Sequence, residues 1–194
     1  MPYLCDNKPH AIIKRMVKCI SKSGRNVTCD NWFTSIPLAV DLLENDKLTM
    51  VGKIQKNKRE IPPFMTVAKD RPLESSIFAF RKNMTLVSYK PKKDNVVLVL
   101  SSLHDDDSLD SDSEKCKPEI ITFYSETKSG VEKVDEMKCT YSVTRITRRW
   151  SLIIISSLLN IAGMNGYIIY KSNSDSTIPR KDCLKVLVKE LFHD

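Results

Sequence analysis

The chain has 194 residues, a formal net charge of +7 and a pI near 9.1; 41% of its residues are hydrophobic and 28% are charged. That balance excludes an intrinsically disordered chain, and only five glycines exclude collagen-like or glycine-rich low-complexity architecture. The length suits one domain of about 150 residues with some surplus, and the positive charge suits either a polyanion partner or simple solubility.

Ile12, Ile13, Met16, Val17 and Ile20 recur with helical period and predict an amphipathic helix over residues 9–20. After Gly24, residues 25–29 read as a short strand running into Asp30, Asn31 and Trp32. Ser35 reads as an N-cap with Pro37 in the first turn, opening a helix to about Asp46. Residues 48–54 read as a second strand, so strand, helix and strand predict a βαβ unit with a parallel, two-sided sheet. Pro62 and Pro63 break the chain. Three β-rich runs at 77–81, 84–89 and 96–103 then predict an antiparallel meander inserted into the α/β part.

Residues 104–114 carry six acids between Asp105 and Glu114 and read as a solvated loop. Ser129-Gly130-Val131-Glu132 reads as a capping box that opens a helix to about Tyr141. Residues 150–170 hold no charge, which raises a membrane span. Asn160 and Asn165 in mid-span favour instead a helix buried inside a soluble protein, with no membrane partner. Residues 181–192 predict a short basic amphipathic helix.

The six cysteines form no C-x-x-C pair, and the three histidines fit no zinc spacing. The first ten residues lack an apolar signal core, so reduced thiols in an intracellular protein are expected, and the N-x-T matches at Asn26 and Asn83 are taken as chance.

Several blocks in order carry a resemblance. They are V-T-C-D-N-W-F-T-S-I-P-L-A at 27–39, L-T-M-V-G at 48–52, N-K-R-E-I-P at 57–62 and L-V-S-Y-K-P-K at 86–92. G-V-E-K-V-D-E-M at 130–137 and T-R-R-W at 147–150 follow. Together they resemble the piggyBac family of DNA transposases. The resemblance implies an RNase H-like catalytic domain that cuts and joins DNA with three aspartates and two Mg²⁺ ions, and a nuclear location. It divides the chain into an RNase H-like part at 1–61, a β-rich insertion ending in the acidic loop at 62–118, further RNase H-like helices at 119–172 and a basic tail at 173–194.

By that resemblance Asp30 holds the position of the second family aspartate, immediately after its strand, where open α/β sheets present ligands. Glu132 stands at the third, with Asp135 matching the following acid. The implied catalytic set is therefore Asp30, Glu132 and Asp135, with Asp30 and Glu132 as Mg²⁺ ligands. Read from the residues alone, Glu132 serves equally as a helix cap and Asp30 as a turn residue. The family's first aspartate lies on a strand upstream of a segment resembling the first residues of this chain. Asp6, the nearest acid, matches no motif, so the resemblance implies an incomplete set and a chain inactive by itself.

Arg145, Arg148 and Arg149 fall at helical spacing on one face, with Trp150 adjoining, and fit phosphate contacts and base stacking. The alternative is a solvated basic helix end with Trp150 in the core. Lys53, Lys56, Lys58 and Arg59 form a second basic cluster suited to phosphate or nuclear import. Expected partners are DNA and a full-length transposase copy or a second copy of this chain. A domesticated, non-catalytic DNA-binding or protein-interaction protein is the alternative function.

Overall fold

A computed structural model describes residues 6–110, 115–175 and 177–192. The chain separates into two compact units, Met1–Lys128 and Ser129–Asp194.

The first unit is built on one mixed five-stranded sheet. Helix α1 (Pro9–Val17) has proline in its first turn and buries Ile13 and Val17. Strand β1 (Asn26–Cys29) leads to α2 (Ile36–Asn45), where the Ser35 hydroxyl accepts from the Leu38 amide at 3.3 Å, the expected N-cap. Lys47, at φ +53°, takes the left-handed position that ends the helix, and the chain turns into β2 (Thr49–Lys53). β1 and β2 pair in parallel, Cys29 opposite Gly52, as the βαβ expectation requires.

Strands β3 (Ser76–Arg81), β4 (Met84–Lys92) and β5 (Asn95–Ser101) form the antiparallel meander. Asn83, at φ +58°, makes the tight turn between β3 and β4. Pro91 lies in a register shift between Tyr89 and Lys92, which accommodates a residue without an amide hydrogen. The meander shares one sheet with the βαβ unit, because β5 pairs antiparallel with β2 and the strand order is β1-β2-β5-β4-β3.

Both faces of the sheet are covered, and alternate residues supply two cores. Met50, Leu86, Leu98 and Leu100 pack with α1 and α2 on one face. Val51, Val87, Tyr89 and Val99 pack with Ile120, Ile121 and Tyr124 on the other. Pro62 and Pro63 do more than break the chain: α3 (Pro63–Thr66) is a helical turn that buries Met65. The segment after it is tied to β4 by buried polar groups. Arg71 donates to the Ser88 hydroxyl at 2.7 Å, and Lys90 Nζ donates to the carbonyls of Ala68 and Arg71. The Ser88 and Lys90 of the resemblance block are thus structural.

α1 and α2 are clamped by charge. Asp41 accepts from Lys14 at 3.0 Å, from Asn45 at 2.7 Å and pairs with His10 at 2.7 Å, while Lys14 also bonds Asp46. The Asn45 amide first, with the His10 and Lys14 bonds, holds the Asp41 carboxyl down to about 2 against the opposing effect of burial. A folded value below the unfolded one, about 3.9, contributes stability above that value and loses it as pH falls from about 4 to about 2. The free energy of urea unfolding is therefore expected to fall over that window, and to fall less for Asp41→Asn. Parallel pH profiles for the two proteins check this.

Helix α4 (Glu119–Cys139) corrects the expectation of a helix starting at Ser129. It begins ten residues earlier, because Ile120, Ile121 and Tyr124 bury against the sheet. Ser125 and Thr127 return their hydroxyls to the carbonyls of Ile121 and Phe123 at 2.9 and 2.8 Å instead of breaking the helix. Residues 102–110 lie between β5 and α4 as the acidic loop; the expected loop residues 111–114 lie outside the described residues.

In the second unit, α5 (Trp150–Asn173) and α6 (Arg180–Leu191) match the expected helices. The expectation that α5 is buried is not met. Only Asn160 and Met164 are buried, while Leu152, Ile153, Ile154, Ile155, Leu158 and Leu159 are exposed. Its all-round apolar sequence would mark a buried helix, yet among the described residues of this unit only α6 makes an extended contact with it. By length and composition alone, with a mean hydropathy of 1.7 over 18 residues, α5 is also long and apolar enough to cross a membrane.

Candidate nucleic-acid interface

In the first unit the C-terminal end of β1 carries Asp30, exposed, in a turn fixed from below. Its carbonyl accepts from the amides of Phe33 and Thr34, each at 3.1 Å, and from the Thr34 hydroxyl at 2.9 Å. Thr34 is fully buried and lies directly against Gly52 of β2. The Asp30 carboxylate has no hydrogen-bond or ion-pair partner among the described residues, so the turn is held by its backbone and the acid is left to solvent. Beneath it, burial first and the Asp30 charge second push the Cys29 thiol up to about 11, which makes it an inert core residue.

Beside this turn is a recess of about 430 Å³ lined by Asn31, Lys53, Gln55, Lys56, Asn57 and Asn95 among others. Two ammonium groups and four amides around one hollow suit an anion with several acceptor oxygens. Lys58 and Arg59 continue the basic surface: Lys58 is half-buried in a turn in which the Ile61 amide donates to its carbonyl, and Arg59 is exposed. Trp32, 63% exposed and two residues from Asp30, presents an unused aromatic face. No sequence motif by itself marks Trp32 or the recess as functional. The signal for Trp32 was its place in the turn just past a strand end; the recess depends on β2 and β5 being neighbours.

In the second unit, Glu132 and Asp135 lie exposed in the middle of α4, three residues apart and so on one face. Glu132 is thirteen residues past the start of its helix, so the helix-cap reading fails for it. Asp6, in the first unit, accepts from the Lys8 amide at 3.0 Å in a local turn.

Arg145, Arg148 and Arg149 are not on a helix. Residues 141–149 are an irregular segment, and α5 starts only at Trp150. Asn160 holds that segment, accepting from the Val143 amide at 2.9 Å and donating to the hydroxyls of Ser142 and Thr144 at 2.8 and 3.2 Å. This bonding explains a buried asparagine in an apolar helix. All three arginines are exposed, and so is Trp150, at 74%, which removes its reading as a core residue. Arg149 occupies the N-cap of α5, where cationic side chains and free helix amides both favour an anion.

The resemblance draws its two Mg²⁺ ligands from different units, Asp30 from the first and Glu132 from the second. Among the described residues no three histidine, cysteine, aspartate or glutamate side chains gather where a metal ion could be held.

Two comparisons bear on this geometry. A family model described as Transposase IS4 matches residues 5–167. The cryo-electron-microscopy structure of a piggyBac transposase, in a synaptic complex with hairpin DNA, is similar at a TM-score of 0.82 and 38% sequence identity. That similarity covers 96% of this chain and 40% of the transposase chain, so this chain spans less than half the length of the protein it matches.

Proposed function

The chain belongs to the Transposase IS4 family, and on that premise we propose that it is a portion of a piggyBac-like, RNase H-like catalytic domain that holds DNA and does not cut it alone. The observation that carries this reading is the basic recess bounded by Asn31, Lys53, Lys56 and Asn57, beside the exposed Asp30. Phosphate oxygens would accept from its ammonium and amide groups, and Trp32 would stack on a base. Arg145, Arg148, Arg149 and Trp150 form a second basic and aromatic surface, with Lys58 and Arg59 as further phosphate contacts. DNA and a second transposase copy are the partners in this reading, and the nucleus is where it would work.

Two-metal cleavage needs hard carboxylates converging on one point. Neither unit gathers three such groups among its described residues, so catalysis is not assigned to this chain by itself. Asp30, Glu132 and Asp135 remain the side chains that the resemblance assigns to catalysis, with Asp30 and Glu132 toward a divalent metal. The exposed Arg145, Arg148, Arg149 and Trp150, which need no acid beside them to hold a phosphate or a base, favour a second reading, a domesticated DNA-binding or interaction protein that has no use for Asp30. Mixed with a full-length transposase copy, an Asp30→Ala chain would match the unchanged chain under this second reading and lose its contribution under the first.

The test is purified chain, Mg²⁺ and a labelled terminal-repeat duplex. The expected result is a gel shift at about 50 mM salt that weakens steeply toward about 200 mM, with no nicked product above a metal-free control. Nicking abolished by Asp30→Ala would overturn the inactive reading. The absence of any shift at low salt would remove DNA binding under both.

A further inference from the structure

The second unit contains a groove of about 550 Å³ between α5, α6 and the segment leading into α5. Two parallel rows on α6 shape it. Leu184 and Val188 continue the apolar floor that Leu159 of α5 begins, and Lys181, Lys185 and Lys189 recur at every fourth residue along the rim. At 1.5 Å of rise per residue the lysine row is about 12 Å long. Lys185 pairs with Asp182 at 3.3 Å, whereas Lys181 and Lys189 have no ion pair among the described residues. Among those residues no acid lines the hollow.

The walls are fixed in advance. The Arg180 guanidinium, at the start of α6, donates to the Met137 carbonyl near the end of α4. The Tyr167 hydroxyl donates to the Ile178 carbonyl at 3.4 Å, which ties α5 to the residues just before α6. On the other side Asn160 holds residues 142–144. A groove ordered before binding loses less entropy when it is filled. Its occupant must be apolar and acidic together, and must carry its charge along the whole row. Nucleic acid would satisfy the rim but leave the floor wet, because a phosphate backbone offers no aliphatic surface. A long-chain carboxylate would cover the floor but bring one charge to three ammonium groups.

We propose that this groove receives an acidic amphipathic helix from a different, partner protein. A helix with an apolar stripe and a carboxylate at every fourth position beside it repeats both rows of α6 at the same rise per residue. Its stripe covers Leu159, Leu184 and Val188, of which Leu159 and Val188 are exposed without it. Its carboxylates meet Lys181 and Lys189, the two lysines that lack partners. None of these residues belongs to the surfaces assigned to DNA or to the acids assigned to catalysis.

The probe is a fluorescein-labelled peptide, A-E-L-L-A-E-L-L-A-E-L-L-A-E-L-L, and fluorescence anisotropy on the full chain without DNA reads its affinity. Binding is expected at about 50 mM salt and should weaken at about 300 mM. The same peptide with lysine for each glutamate, or with serine for each leucine, should bind about tenfold more weakly or worse. Lys181→Glu with Lys189→Glu should weaken the acidic peptide about tenfold and strengthen the lysine peptide. That exchange of preference separates docking from misfolding. Leu184→Ser should also weaken the acidic peptide. The proposal fails if the acidic peptide does not bind, if the serine peptide binds equally well, or if the charge reversal leaves the preference unaltered. Three further results would also overturn it: displacement of the peptide by duplex DNA, displacement by phosphatidylserine but not phosphatidylcholine vesicles, or a bound fraction that falls as the chain is concentrated. They would name nucleic acid, an anionic membrane or a second copy as the occupant.

Discussion

Replacing Gly52 by alanine is expected to remove about 3 kcal/mol of unfolding free energy, a large part of the 5–15 kcal/mol that small domains possess. A Cβ at that position would stand 2.2 Å from the Thr34 hydroxyl oxygen and 2.9 Å from the Cys29 carbonyl oxygen. Neither neighbour can yield easily. Thr34 is fully buried and its hydroxyl holds the Asp30 carbonyl at 2.9 Å, while the Cys29 carbonyl belongs to the strand paired with Gly52 itself. The clash must therefore part β1 from β2 or expel Thr34, and either move disrupts a core that contains Cys29 and Met50.

Urea unfolding followed by circular dichroism gives the measurement, with a lower midpoint and an unchanged slope expected. A double-mutant cycle sharpens it. Thr34→Ala removes the nearest atom, so Gly52→Ala in that background should cost less than in the native one, and the two changes should couple. A Gly52→Ala chain within about 0.5 kcal/mol of the parent would defeat the account, since that is the ordinary range for surface substitutions. Asp30 rides on the turn that Thr34 holds over Gly52, so this packing also sets where the acid stands.

Residues 9–53 were legible because their signals are local. Ser35 and Pro37 mark the start of α2, the strand runs either side of it are short and apolar, and parallel pairing follows from the helix between them. The meander was legible for the same reason, since each of its strands ends in a polar turn. The start of α4 was hidden. Ser125, Thr127 and Ser129 look like breakers until the apolar residues Ile120, Ile121 and Tyr124 find a sheet face that lies far away in sequence.

Asp30 at a strand end was readable from its block, but the recess beside it draws Asn31, Lys53 and Asn95 from three separate segments. The spacing of Arg145, Arg148 and Arg149 suggested a helix because period alone cannot see a tertiary partner. Asn160, more than ten residues later, holds the preceding segment through one amide and two hydroxyls, and the helix starts only after it. The burial expected of α5 failed for a related reason: an apolar sequence states what a helix requires, and only a neighbour in space supplies it.

The second large effect is electrostatic. Replacing Arg145, Arg148 and Arg149 together by alanine is expected to lower duplex affinity between tenfold and a hundredfold at about 0.1 M salt. It should also reduce the magnitude of the log–log salt slope by about 3, close to one counterion per lost phosphate contact. The basis is that all three side chains are exposed, on a segment whose backbone Asn160 pins, at the N-terminal end of a 24-residue helix. Cations gathered at a helix N-terminus repel its positive end, an arrangement that costs stability unless an anion is bound there. Trp150 provides the internal control. As a stacking residue, Trp150→Ala should lower single-stranded affinity by about 1–3 kcal/mol while leaving the salt slope unchanged. Fluorescence anisotropy at four salt concentrations reads both quantities for each variant. If the triple variant keeps the parental slope, the arginines touch no phosphate, and DNA binding would then rest on Lys53, Lys56, Lys58 and Arg59 in the other unit.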